Sequence, residues 1–419
     1  MSDRTVYRNT EQLKNAIEEN INQIEKPPAL ICNSHITGLS VARALGKEGV
    51  PVIALDREEK GLGFASRYVA LRGLCPNPDE EEEAFIQFLL EIGPFFKQKC
   101  VLFPCMDEWA LAIARHAERL SDYYIWQFSS YKTIDQILDK SQLYQKAEDL
   151  NVLIPQSDKV TSENLEELSD TFSYPVVLKP IQKRKFYDRF RKALFVAGSK
   201  EEFKEKVKLS DEIELVVQEQ IPSTPGGLVT VVAYMDQDNN IRGSLTGRRL
   251  EIYPAESGTT CLVESVENAK LVERASEVLK AFQYQGIAEC EFIYDERDEE
   301  YKLIDINTRP WKWIGLPVSC NVNLPYLLYR DAIGDPFTAE KGQVGKKWVF
   351  VQDYISLKES KQGMFEGDVL SKEEWLAVLS GRTEKNDLIT TAVESQGDPE
   401  PAYQLLQNKF SKRKYYCPC

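Results

Sequence analysis

Apolar positions along the chain fall into distinct patterns. Leu13, Ile17, Ile21 and Ile24 recur at helical spacing and predict a helical lead-in over residues 1–27. Continuous apolar runs at 29–32 and 50–56 then predict buried strands, with a helix over 38–46 between them, a βαβ opening. Another strand, from Val101, ends in the acids Asp107 and Glu108. Beyond residue 126 the runs shorten. Residues 131–138 lead to Asp139-Lys140 and a helix over 141–150, and Val176-Val177-Leu178 is a strand stopped by Lys179-Pro180. Strands follow at 193–196 and 214–221. Residues 228–234 and 241–245 predict a hairpin around Asp236 to Asn240, and 267–283 an amphipathic helix. A second hairpin is predicted from 288–294 and 301–309, around a charged turn. Towards the end, a strand is expected at 348–354, a helix near 373–379, and a terminal helix after Asp398-Pro399-Glu400-Pro401. The fold class is therefore α/β followed by α+β.

Length and charge narrow the function. At 419 residues more than one domain is expected. The balance of 52 basic and 66 acidic residues, −14, argues against the broad basic surface that unspecific nucleic-acid binding needs. No apolar run approaches a membrane span, and the polar start Met1-Ser2-Asp3-Arg4 lacks a signal-peptide core, so a cytoplasmic protein is expected. Nine irregularly spaced cysteines do not form a disulfide framework. Cys32, Cys100, Cys261 and Cys290 read as small buried hydrophobes, and Cys417-Pro418-Cys419 as a frayed tail or a metal or redox pair. Two histidines, His35 and His116, are too few for a histidine metal cage, and a Ser-His-Asp triad is not expected either. Asp56 ends its strand as in dinucleotide-binding folds. Residues 33–38, however, hold one glycine where a pyrophosphate loop uses three, so NAD is not expected.

The chemistry concentrates on the second hairpin. Asp305 and Asn307 share one face of a strand because side chains alternate. If Glu291 pairs across from Asp305, three hard oxygen donors converge, a set that suits Mg²⁺ shared with substrate phosphates. Mn²⁺ is an alternative ion. A one-residue slip would turn Glu291 away. Arg309 adds a fork able to grip a phosphoryl or carboxylate group. A solvated edge hairpin is the other reading. Lys179, ending its strand, would pack its stem on the sheet and face its amine to a cleft. For Asp107 and Glu108, helix capping competes with contact to a substrate amine.

Asp139-Lys140 before a helix, Leu178-Lys179-Pro180, Gln218-Glu219, the Glu291 strand and Asp305-Ile306-Asn307-Thr308-Arg309, in this order, resemble the ATP-grasp superfamily from about residue 29 to 337. The resemblance implies a Rossmann-like pre-ATP-grasp domain at 1–125, a two-lobed nucleotide and metal domain at 126–345, and a C-terminal extension at 346–419 packing on that core. It assigns Lys140 to the ATP phosphates, Lys179 to the α-phosphate and adenine edge, and Gln218, Glu219, Gln220 and Ile221 to the adenine hinge, with Glu219 reinforcing the N6 contact. Arg248, or its neighbour Arg249, resembles the arginine near the γ-phosphate and acyl group, catalytic together with Arg309. Ser257 to Thr260 could hold a carboxylate or form a turn.

The chain departs from the family pattern at 181–192, a loop with six basic residues and no glycine. A side-chain phosphate lid with Lys192 as its main member is expected; a solvated loop or an RNA contact are the alternatives. A ribose-binding acid is not assigned. The chain looks most like D-aspartate ligase and carbamoyl-phosphate-synthase-like carboxylate–amine ligases. The implied activity is ATP-dependent amide formation through an acyl phosphate, with small-molecule carboxylate and amine partners, no nucleic acid and no membrane, and a homodimer as the candidate assembly. A biotin-carboxylase-type enzyme and a non-catalytic ATP-binding regulator are the rival readings.

Overall fold

The continuous apolar runs become parallel strands because both of their faces are covered. A computed structural model describes residues 5–181, 183–222, 224–255, 258–385 and 388–410. Its first sheet contains β1 (Val6–Tyr7), β2 (Ala29–Cys32), β3 (Val52–Asp56), β4 (Val69–Leu74), β5 (Cys100–Pro104) and β6 (Tyr124–Ile125). All neighbours pair in parallel, in the order β1-β4-β3-β2-β5-β6. Leu30 and Cys32 face a core with Phe85 and Trp109, while Ala29 and Ile31 face one shared with Trp311 and Trp313 from late in the chain. The one glycine of residues 33–38 lies in the helix Ile36–Gly46, where it serves packing. A Cβ on Gly38 would lie 2.3 Å from the Asn33 carbonyl oxygen.

The second sheet is small and antiparallel: β7 (Ser157–Lys159), β8 (Val176–Pro180), β9 (Phe195–Ala197) and β10 (Leu215–Glu219), in the order β7-β10-β8-β9. Here one expectation fails. The basic stretch is no loop but a helix, Lys183–Phe190. Phe186 and Phe190, four residues apart, share a helix face and pack on Phe195, with ring centroids 4.7 to 4.9 Å apart. The strand expected from residue 193 consequently begins at Phe195.

The third sheet holds β11 (Leu228–Met235), β12 (Ile241–Tyr253), β13 (Thr259–Val266), β14 (Gly286–Asp295), β15 (Glu300–Asn307), β16 (Glu340–Lys341), β17 (Lys347–Val349) and β18 (Ile389–Thr391). Its order is β15-β14-β11-β12-β13-β17-β18, with β16 beside β12. Residues beyond 346 thus do more than pack on the core, since β17 and β18 extend its sheet. The strand expected at 348–354 is shorter, and a helix, Val351–Ser360, follows it. One sheet face buries Val231, Cys290 and Ile306 against the helices Lys140–Asp149 and Ala269–Ala281; the other carries Val232, Leu245 and Ile287 towards Trp311 and Trp313.

No helix among the described residues is long and apolar enough to cross a membrane. Cys32, Cys75, Cys100, Cys105, Cys261, Cys290 and Cys320 are free and buried, whereas Cys417 and Cys419 lie outside the described residues.

A buried ion pair fastens the late chain to the first sheet. Arg43 Nε donates to Asp398 Oδ2 at 2.9 Å, and the Ser66 hydroxyl and Arg67 N–H donate to the same carboxylate at 2.7 and 2.8 Å. Removing one partner strands a buried charge, at a cost of about 3–5 kcal/mol. Asp398→Ala should therefore lower stability to urea by that order; a loss below about 1 kcal/mol would show the pair to be dispensable.

Candidate active site

The register on which the metal reading depends is the one found: Glu291 stands opposite Asp305, and Glu289 opposite Asn307. Between Glu291 and Phe292 the pairing slips, because their partners are Asp305 and Leu303. Ile304 is thus an extra residue, a β-bulge. The bulge lets both Leu303 and Ile306 enter the apolar core while Asp305 and Asn307 face the opposite side with Glu289 and Glu291. The bulge carbonyl is also put to use. Ile304 O accepts from the Tyr144 hydroxyl at 2.9 Å and from Lys179 Nζ at 3.3 Å.

The two lysines reach this edge from different elements. Leu178 is buried in the core of the small sheet, so Lys179 points to the opposite face, where Val216 and Tyr144 belong to the core of the large sheet. Lys179 Nζ donates to the Tyr144 hydroxyl at 3.3 Å. Lys140 opens the helix Lys140–Asp149, capped by Asp139, whose carboxylate accepts the Ser141 N–H at 2.9 Å. It is 2% exposed and pairs with Asp305. The expected crevice thus brings together Lys140, Lys179, Glu291, Asp305 and Asn307.

Two more residues lie on this face: Arg249, named beside Arg248 from the sequence, and Glu289. Arg249 donates to Glu291 Oε1 at 2.7 Å and to Glu289 Oε1 at 3.2 Å. Its neighbour Arg248, the residue expected, is exposed and pairs with Glu264 at 2.6 Å, because consecutive strand residues face opposite ways. Glu289 was not among the residues expected. It is buried, and Asn307 Nδ2 donates to its Oε2 at 2.8 Å and to Glu291 Oε1 at 3.0 Å. Burial, then the Glu291 charge, pushes its carboxyl up to about 7 against the pull of Arg249 and Arg309. The alternation Glu289-Cys290-Glu291 already put both acids on one face. On the neighbouring strand the Trp313 ring packs close over the backbone beside this row. Gly247 pairs with Thr230, which pairs with Glu291, and a Cβ on Gly247 would lie 2.8 Å from Trp313 Cη2.

Arg309 is nearly buried and donates through Nε to Asp107 Oδ1 at 3.1 Å, so the first sheet reaches the site. Asp107 opens the helix Asp107–Arg115, whose N-cap is Met106 with no side-chain capping bond. Asp107 is therefore an ion-pair partner and does not cap the helix. Burial, and then Asp107 and Asp79, push the Glu108 carboxyl up to about 7.

The hinge is more occupied than expected. Gln218 Nε2 donates to Ser157 Oγ at 2.8 Å, and the N–H groups of Glu219 and Gln220 donate to the Gln156 and Pro175 carbonyls at 2.9 and 3.3 Å. The Glu219 carboxylate accepts from the Gln156 N–H at 2.9 Å and pairs with Arg297 at 2.7 Å. Ile221 is buried. Lys192 is exposed beyond the basic helix, and Arg189 donates to the Asp211 carbonyl at 2.8 Å. Ser257 lies outside the described residues, and Thr259 Oγ1 accepts from Lys312 at 2.9 Å.

Among the described residues no three His, Cys, Asp or Glu side chains form a ready metal cage. The donor set nonetheless fits Mg²⁺. Glu291 and Asp305 are carboxylates, and Asn307 turns its NH₂ to carboxylates and so keeps its oxygen for another partner. That is enough for an ion that completes its shell with water and phosphate oxygens.

Lysines from two elements thus meet an acid–amide strand pair, and the chain is similar to several known ligases. The chain is 26% identical over 306 residues to a D-aspartate ligase of Enterococcus faecium (strain Aus0004), covering 68% of this chain and 73% of that protein. Among solved structures it resembles L-amino acid ligase from Bacillus licheniformis, with a TM-score of 0.58 and 15% identity over 77% of this chain and 79% of that one. It also resembles N5-carboxyaminoimidazole synthetase from Staphylococcus aureus, with a TM-score of 0.58 and 14% identity over 78% and 83%. Biotin carboxylase from Campylobacter jejuni has a TM-score of 0.60 and 15% identity over 76% and 74%. At these identities the structures show a shared fold. No family model matches the chain.

The raised Glu108 carboxyl carries a pH signature. Its folded value lies above its unfolded one, so its contribution to stability is complete below the ordinary value of 4.5 and is lost as pH rises through about 7. Glu108→Gln removes that titration. It should melt higher than the wild type at pH 8, by on the order of 1 kcal/mol, with the gap closing at pH 5. A gap that does not vary with pH would contradict the raised carboxyl.

Proposed function

We propose that the protein is an ATP-dependent carboxylate–amine ligase, acting on small molecules in the cytoplasm and organised as domains over 1–125, 126–345 and 346–419. The observation that carries this reading is the meeting of Lys140, Lys179, Glu291, Asp305 and Asn307 at one strand edge, joined by Arg309. In this reading Lys140 and Lys179 bind the ATP phosphates. Residues 218–221 border the adenine. Glu291, Asp305 and Asn307 would hold Mg²⁺, which when bound offsets phosphate charge. Arg309 and Arg249 orient the substrate carboxylate and stabilise charge developing on the transferred phosphoryl group. The carboxylate oxygen takes the γ-phosphoryl group and ADP leaves; the amine nitrogen then attacks the acyl carbon, losing a proton, and phosphate leaves. No side chain need form a covalent bond, so catalysis rests on placement and charge.

The name of the relative in E. faecium makes D-aspartate the first carboxylate to try, paired with a panel of amines. Phosphate should be released from ATP only when carboxylate and amine are both present, and Asp305→Asn should lower kcat on the order of a hundredfold. Release that requires bicarbonate and biotin would replace the ligase with a carboxylase. ATP binding without turnover on any pair would leave a regulator.

A further inference from the structure

The oxygen donors proposed for the metal account for three side chains on this face, and a fourth, Glu289, has no role among them. Its position is specific. One carboxylate oxygen, Oε1, accepts from Arg249 at 3.2 Å, and the other, Oε2, accepts from Asn307 Nδ2 at 2.8 Å. Asn307 Nδ2 donates also to Glu291 Oε1 at 3.0 Å. Asn307 Nδ2 lies between two carboxyl oxygens, one on Glu289 and one on Glu291, and a carboxamide has donors on its nitrogen alone. With carboxylate oxygens flanking it, the Asn307 amide must present NH₂ to them and carry its oxygen away from them. Without Glu289 the amide would keep a single anchor, Glu291, itself a proposed ligand and already engaged by Arg249 at 2.7 Å. Glu289 is 3% exposed and Asn307 8%, so no solvent exchange would restore the orientation.

We infer that Glu289 is a positioning residue: it holds the Asn307 amide so that its oxygen, and not its nitrogen, is offered to the divalent ion. The inference rests on the metal reading given above. Partners that orient a ligand in this way are worth on the order of tenfold to a hundredfold in metal affinity. In Glu289→Gln the replacement amide has one oxygen for two donors, Arg249 and Asn307. Whichever it serves, the other meets an N–H₂ group.

The test measures Mn²⁺ binding in the presence of ADP by titration of free Mn²⁺ signal in electron paramagnetic resonance, alongside metal-free ADP affinity and melting temperature. Glu289→Gln should weaken Mn²⁺ at least tenfold, leaving metal-free ADP affinity and melting temperature near those of the wild type. Combining Glu289→Gln with Asn307→Asp reverses the donor–acceptor pair, with the amide introduced at position 289 now donating to the carboxylate introduced at position 307, and should recover part of the lost affinity. Equal Mn²⁺ affinity in the wild type and Glu289→Gln would overturn the inference. So would a parallel loss of metal-free ADP binding and thermal stability, or no recovery in the double variant. If the wild type itself binds no Mn²⁺ with ADP, the metal reading falls, and this result is distinguishable from the others.

Discussion

One extra residue in an edge strand holds the site together. Without the bulge at Ile304, strict alternation would put Leu303 on the same face as Asp305 and Asn307, so one set or the other would face the wrong side. With it, apolar packing and the acid face are satisfied on the same strand, as Leu303 and Ile306 are both fully buried. The same irregularity turns a backbone carbonyl towards Tyr144 and Lys179, so the small sheet is registered on the large one at the point where nucleotide phosphates would lie. Strand irregularities commonly re-aim side chains beside functional sites.

Around the bulge, charge is matched locally. Lys140 faces Asp305, Arg249 bridges Glu289 and Glu291, and Arg309 faces Asp107. Each pair is largely removed from water, where an unmatched carboxylate would shift its titration or unfold the site. Glu289 and Glu108 show what is left of that effect, both driven towards neutrality by burial and a neighbouring acid. The site therefore keeps carboxylates close together by surrounding them with arginine and lysine from separate stretches of chain. A triphosphate and its cation would enter a region already organised for dense charge, which is the form of catalysis by preorganised electrostatics.

How much of this could be read in the sequence depended on whether the relevant physics was local. The hairpin and its facing acids were legible, because apolar alternation fixes which side chains share a face, and the parallel opening was legible from continuous apolar runs. The basic helix was misread because charge dominated the reading; the spacing of Phe186 and Phe190 carried the helical signal, and the lack of glycine agreed with it. Arg248 and Arg249 could not be separated without the strand register, since one step along a strand reverses the face. The Glu219 partner, Arg297, sits in a turn 78 residues away, and no local pattern announces it. The membership of β17 and β18 in the large sheet is likewise a matter of distant pairing.

That last membership bears on how the molecule comes together. Lys347 to Val349 pair in parallel with Ile389 to Thr391, and Arg43 meets Asp398 across 355 positions of sequence. Contacts of such span close large loops and form late, after local hairpins and helices. During synthesis Arg43 would stay uncovered, and the large sheet would keep an open edge, until residues 389–398 emerge. Residues 389–398 thus act as a clasp, covering the arginine of the first sheet and the β17 edge of the large one together.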